Sequence, residues 1–208
     1  MIRKGRLFTP GPTQLLPSAQ LAMAAATMHH RTAEFRALYT RVLADLKIFI
    51  GTKNDVVMFT ASGTGAMEAA VANLTSPGDK VLIVSAGKFG ERWEGLAKAY
   101  GLQFETVRAP YGQTVTPQQL RDALKPEHKV LYMQATESST GVRHDVEGIA
   151  RLVKGTDTLL VADAITGLGT THFDADGCGV DMLIGGSQKA VMVPPGLAYC
   201  SVDRKSVV

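Results

Sequence analysis

From about residue 56 onward, short apolar runs alternate with longer amphipathic stretches. Residues 56–60, 80–85, 103–108, 130–134, 159–163 and 182–184 read as strands. Val81-Leu82-Ile83-Val84 is apolar throughout, the pattern of a strand covered on both faces. Residues 65–74, rich in Ala, Met and Glu, read as a helix, and Pro77-Gly78-Asp79 as a turn. A second helix is expected over 90–100, because Phe89, Trp93, Leu96, Ala97 and Tyr100 recur every three or four residues along one face. Thr116-Pro117-Gln118-Gln119 opens a third, with Thr as cap and Pro at the first helical position, and 146–154 forms a fourth. Short strands separated by helices predict an α/β fold, a mostly parallel sheet with helices on both faces. Ligands of such sheets gather at the carboxyl ends of the strands. Chemistry is therefore expected just after Thr60, Ser85 and Gln134, near Asp163, and after Ile184.

Composition narrows the function more than the fold. The 208 residues are 45% hydrophobic and 20% charged, ordinary for a globular domain with a sizeable core, alone or with part of another. No apolar run is long enough to cross a bilayer, and the basic start, Met1-Ile2-Arg3-Lys4-Gly5, lacks the apolar stretch of a signal peptide. The 22 basic and 19 acidic residues are dispersed, which gives little support to nucleic-acid binding and leaves room for a small anionic ligand. Cys178 and Cys200 suggest neither a disulfide framework nor a metal site, and are expected to be packing residues in a reducing cytoplasm.

Three segments at the expected strand ends carry candidate chemistry. Ala61-Ser62-Gly63-Thr64-Gly65 lies between a strand and a helix. Its small residues and the free N–H groups of a helix start suit a phosphate, and equally a tight turn capped by Ser or Thr. Asp163 ends a buried strand, where a carboxylate needs a partner; it either caps a turn or faces the protonated ring nitrogen of a cofactor. Lys189 follows Gly185-Gly186-Ser187-Gln188 and precedes Pro194-Pro195-Gly196. It either reaches solvent or serves as an amine nucleophile whose pKa its surroundings lower.

In order and wording these segments resemble a known family, the class V aminotransferases of pyridoxal-phosphate (PLP) fold type I. Within it the chain is similar to the alanine–glyoxylate and serine–glyoxylate (or serine–pyruvate) branch. The resemblance covers essentially the whole chain: Phe8-Thr9-Pro10-Gly11-Pro12-Thr13, His30-Arg31-Thr32-Ala33-Glu34-Phe35, Ser62-Gly63-Thr64-Gly65-Ala66-Met67-Glu68-Ala69-Ala70, Phe89-Gly90-Glu91-Arg92, Glu137-Ser138-Ser139-Thr140-Gly141-Val142, Asp163-Ala164-Ile165 and Gly186-Ser187-Gln188-Lys189-Ala190. Ser-Gln-Lys-Ala and its spacing from Asp163 are the most specific parts.

The resemblance implies that Lys189 forms a Schiff base with PLP and then acts as general base, and that Asp163 keeps the ring nitrogen protonated. It implies that the ring of Phe89 stacks on the cofactor, where relatives often carry Trp, and that Ile165 packs beneath it. Ser62, Gly63, Thr64 and Gln188 are expected to hold the phosphate, with Ser138 near the ring hydroxyl. Gly11-Pro12-Thr13 and His30-Arg31 resemble loops at the substrate entrance, and His128, His144 and His172 match nothing in the family.

The implied reaction is ping-pong transfer of an amino group from a small amino acid, alanine or serine, to a 2-oxo acid, glyoxylate or pyruvate, by a homodimer. The expected organisation is a segment, 1–20, leading into the site and a PLP-binding large domain over 21–208, incomplete at its end. By the resemblance, the small C-terminal domain would be absent, and with it the arginine that binds the substrate carboxylate; Arg31 and Arg143 are the candidates to replace it, though neither matches the family's position. The alternatives are a 2-aminoethylphosphonate aminotransferase, a cysteine desulfurase-like enzyme, and a truncated fragment without activity. For the desulfurase, neither Cys178 nor Cys200 is in a suitable loop.

Overall fold

A computed structural model describes residues 6–172 and 174–203. The two chain ends, on which the readings of a missing leader and a truncated domain rest, lie largely outside these. Two helices come first, α1 (Pro17–Met23) and α2 (Ala33–Ile50). The alternating part follows: β1 (Asp55–Phe59), α3 (Gly63–Leu74), β2 (Lys80–Ser85), α4 (Lys88–Ala99), β3 (Gln103–Arg108), α5 (Pro117–Ala123) and β4 (His128–Gln134). A small ribbon of β5 (Thr136–Glu137) and β6 (Val142–Arg143) leads to α6 (Val146–Val153) and β7 (Leu159–Asp163). The chain then runs through α7 (Ala175–Cys178), β8 (Met182–Gly186) and β9 (Ala198–Val202).

Local chemistry accounts for the boundaries. The Thr32 hydroxyl accepts the Phe35 N–H at 3.2 Å to start α2, and Gly51, left-handed at φ 76°, ends it. Thr116 and Gln119 form the reciprocal capping box that opens α5 with Pro117 at its first position. Asp145 starts α6 by accepting the Gly148 N–H at 2.8 Å.

Seven strands form one sheet in the order β1-β9-β8-β7-β4-β2-β3. β3, β2, β4, β7 and β8 pair in parallel, while β9 runs against both β8 and β1. β1 therefore points the same way as β8, and the carboxyl ends of β1, β2, β4, β7 and β8 share one edge. The loop between β8 and the reversed β9 carries Lys189 along that edge.

The fully buried strands separate two apolar layers. On one side Val81, Ile83, Tyr132, Val161 and Ile184 pack with Met67 of α3 and Trp93 of α4. Trp93 stacks on Tyr132 with ring centroids 4.6 Å apart. On the other side Leu82, Leu131, Leu160 and Leu183 pack with Ile50, Leu120 and Ile149 from α2, α5 and α6. Each such side chain contributes roughly 1.5–3 kcal/mol of hydrophobic stabilisation. This rigid sheet holds the loops at its edge in register.

Candidate cofactor site

One cleft at the carboxyl edge is lined by Ser62, Gly63, Thr64, Phe89, Ser138, Asp163, Ile165, Gln188 and Lys189. These are the nine residues singled out from the sequence, contributed by five separate connections. Arg92, Thr166, Gly11, Pro12 and Pro195 complete the wall. Arg31 and Arg143 are not part of it: Arg31 is exposed ahead of α2, and Arg143 donates to the carbonyl of His172 at 3.1 Å. His29 and His30 stack on each other in the same exposed loop. His128 and His144 are buried and His172 is exposed, all away from the cleft lining.

At the start of α3, Ser62 is the cap residue, yet its side chain makes no capping hydrogen bond. The turn is closed by the backbone alone, with the Gly65 N–H donating to the Ser62 carbonyl at 2.9 Å, so no side-chain cap from Ser62 occupies the start of this twelve-residue helix. A Cβ on Gly63 would stand 2.2 Å from Cδ1 of Ile165, so only glycine lets the helix start approach Ile165 this closely. The Thr64 hydroxyl accepts a hydrogen bond from Arg92 at 2.8 Å. The Arg92 guanidinium in turn lies 4.7 Å from the centre of the Phe89 ring. The motif Phe89-Gly90-Glu91-Arg92 by itself implies no role for Arg92. Its place one helical turn after Phe89 was the available signal, since residues three apart share a face.

Asp163 ends β7 and is 5% exposed. Its Oδ1 accepts the Ile165 N–H at 2.9 Å, so it closes a turn and also faces the cleft. Burial pushes its pKa up to about 6, and the nearby Glu137 charge adds to this, while the Ile165 N–H, Arg92 and Lys189 oppose it.

That shift makes Asp163 an element of pH dependence. Its folded pKa exceeds the unfolded value of 3.8, so its favourable contribution is complete below 3.8 and is lost as pH rises through about 6. Asp163→Asn should remove this loss. Relative to wild type, the variant is expected to gain about 1 kcal/mol in unfolding free energy between pH 5 and 7.5, measured by urea denaturation without cofactor. A difference that does not change over that range would contradict the assignment.

Lys189 does not extend into solvent; it is 9% exposed, and its Nζ donates to the Pro10 carbonyl at 3.0 Å. Burial lowers its pKa, partly opposed by Asp163. A larger fraction of neutral amine follows, which is the nucleophilic form. The backbone around it is pinned: Thr13 Oγ1 donates to the Lys189 carbonyl at 2.7 Å, and the Thr13 N–H to that of Gln188 at 2.9 Å. Ser187 Oγ donates to the Pro194 carbonyl at 2.6 Å. A Cβ on Gly11 would come within 2.6 Å of Lys189 Nζ, so the incoming chain passes directly against the amine.

Ser138 and Thr166 share a short hydroxyl contact at the cleft wall. The Gln188 carboxamide oxygen is buried without a partner among the described residues. A second cleft adjoins the first across Lys189, lined by Phe8, Pro10, Thr13, Thr170 and Met192.

The donor set suits PLP: a helix start of small residues for its phosphate, Phe89 and Ile165 on the cleft wall for its ring, and the buried Asp163 for its protonated ring nitrogen. The sheet topology is that of the fold type I PLP aminotransferases. The chain belongs to the class V aminotransferase family, whose model matches residues 15–207. It is 41% identical over 205 residues to a protein named soluble hydrogenase 42 kDa subunit from Anabaena cylindrica, covering 96% of this chain and 54% of that one. It is 33% identical to an L-aspartate–glyoxylate aminotransferase from Paracoccus denitrificans, covering 100% and 54%. Among solved structures, alanine–glyoxylate aminotransferase from a Nostoc species superposes with a TM-score of 0.93 at 33% identity, covering 100% of this chain and 56% of that one. The chain thus spans about half the length of the curated relatives it matches.

Proposed function

We propose that the full-length protein is a PLP-dependent aminotransferase that moves an amino group from alanine or serine to glyoxylate or pyruvate in two half-reactions. The observation that carries this reading is the buried amine of Lys189, its pKa lowered by burial, in one cleft with the carboxyl of Asp163. The names of the Paracoccus and Nostoc relatives favour glyoxylate as acceptor and leave the amino donor broader than alanine and serine.

Bound in this cleft, PLP would supply an aldehyde that condenses with amines and a ring that draws electrons from the substrate α-carbon. Lys189 would anchor it covalently and, once displaced by an amino acid, take the proton from the α-carbon with Nζ. Asp163 would keep the ring nitrogen protonated. Ser62, the Gly63 and Thr64 N–H groups and the Gln188 carboxamide would hold the phosphate. Phe89 and Ile165 would exclude water from the two faces of the ring, and Ser138 would orient the ring hydroxyl.

The desulfurase reading loses support from the cysteines. Cys200 is buried in β9 with its thiol pushed up to about 12, Cys178 ends α7, and neither lines the cleft. The exposed apolar side chains of α2, including Leu38 and Ile48, support assembly as a homodimer in the full-length protein. No described helix is long and apolar enough to cross a membrane. A cytoplasmic location is proposed from the two free cysteines, Cys178 and Cys200, which suit a reducing compartment.

The test is a pair of half-reactions with PLP-loaded protein. Without an acceptor, alanine or serine should yield about one equivalent of pyruvate or hydroxypyruvate per site, and glyoxylate should then restore the starting visible spectrum and yield glycine. No keto acid from alanine, serine or aspartate would refute amino transfer among these substrates. Phosphonoacetaldehyde released from 2-aminoethylphosphonate would redirect the substrate assignment.

A further inference from the structure

We propose that Glu137 is a positioning residue for the cofactor: by capping α4 from a distant segment, its carboxylate sets the Phe89 ring in the cleft. The inference rests on the reading that the cleft holds PLP.

Helix α4 begins after Gly87, which has no side chain to cap it. The cap comes instead from the end of β5 and the residues just after it. Glu137 is fully buried, and its Oε2 accepts the N–H groups of Phe89 at 3.1 Å and Gly90 at 3.0 Å. Oε1 accepts the Ser139 N–H at 3.1 Å and its hydroxyl at 2.7 Å. Ser139 Oγ in turn accepts the Lys88 N–H at 3.1 Å. The first three N–H groups of α4 are thus taken by two side chains some fifty positions away in sequence.

The fit leaves no room for an ordinary cap. A Cβ on Gly87 would lie 2.4 Å from Ser139 Oγ and 2.6 Å from the Glu137 side chain. Charge-assisted bonds to a helix start are stronger than those of a neutral cap, and a buried carboxylate without them would be costly.

Phe89 is the residue whose own N–H is held, so the origin of its side chain is tied to the Glu137 carboxylate. Arg92 flanks the ring 4.7 Å from its centre. The Glu137 charge also contributes to the raised pKa of Asp163. A residue that only stabilised the helix would have no reason to influence the cofactor through Phe89.

A double-mutant cycle separates the two roles. PLP affinity is measured by visible titration for wild type, Glu137→Gln, Phe89→Leu and the double variant, with borohydride trapping and far-UV circular dichroism on each. Glu137→Gln alone is expected to weaken PLP binding about tenfold, as loss of a charged hydrogen-bond acceptor implies. In the Phe89→Leu background the same change should weaken it less than about twofold, the mark of coupling between the two residues. Equal losses in both backgrounds would overturn the proposal. If Glu137→Gln does not fold, Glu137→Asp replaces it in the cycle; this keeps the charge but shortens its reach, and the same dependence on Phe89 is expected. A wild-type chain that takes up no PLP refutes the cofactor reading and this inference together. Uptake without coupling refutes only the inference.

Discussion

Lys189→Ala is expected to abolish covalent trapping of PLP by borohydride and to lower amino transfer by about 10³-fold or more, because anchor and base are lost in one change. The wild-type amine is well placed for both. It is buried, its pKa is lowered, and its backbone is pinned from two directions by Thr13 and by the Ser187–Pro194 bond. The measurements are the mass of the reduced protein and the rate of keto-acid formation. Lys189→Arg should fail equally, since a guanidinium cannot be deprotonated near neutral pH. Undiminished trapping in Lys189→Ala would move the anchor to another lysine and remove the main support for the proposed function.

Asp163→Asn is expected to leave trapping at Lys189 intact while slowing amino transfer by about 10²–10³-fold, the usual scale for removing one preorganised electrostatic partner from a reacting group. An amide has the same shape but no charge with which to keep a ring nitrogen protonated. Asp163→Glu should recover part of the rate, because the charge returns in a displaced position. The comparison must be made on k(cat) with saturating PLP, so that weaker cofactor binding is not counted as slower chemistry. A rate for Asp163→Asn within a few-fold of wild type would exclude the role proposed for this carboxylate. It would leave Lys189 as anchor unaffected.

The inner parallel strands were legible because burial on both faces writes a plain apolar run: β2 and β7 have the boundaries read from the sequence. Helix α3 starts at Gly63 rather than 65 because its first residues look like a turn and are small for the sake of Ile165. Helix α2 went unread. Its apolar residues Leu38, Tyr39, Ile48 and Phe49 are exposed, so they blur the single stripe that marks a surface helix. Strand β9 follows Pro194-Pro195-Gly196 and runs in reverse, which a reading of successive parallel units does not anticipate. The site residues were identified by resemblance, and the cleft brings all of them together. The roles of Arg92 and Glu137 are not legible in their motifs, because both act on neighbouring groups through contacts that sequence spacing does not reveal.

The contact between Thr13 and Lys189 spans 176 positions. The segment that makes it is mostly exposed and contributes no residue to either apolar cluster, so its attachment is weak beside that of the sheet. The amine therefore depends on one of the least secured parts of the molecule. A protease or mild denaturant that frees this strap would silence the lysine while the β-sheet remained intact. Loss of reactivity would then be an early sign of partial opening, well before any spectroscopic signature of unfolding.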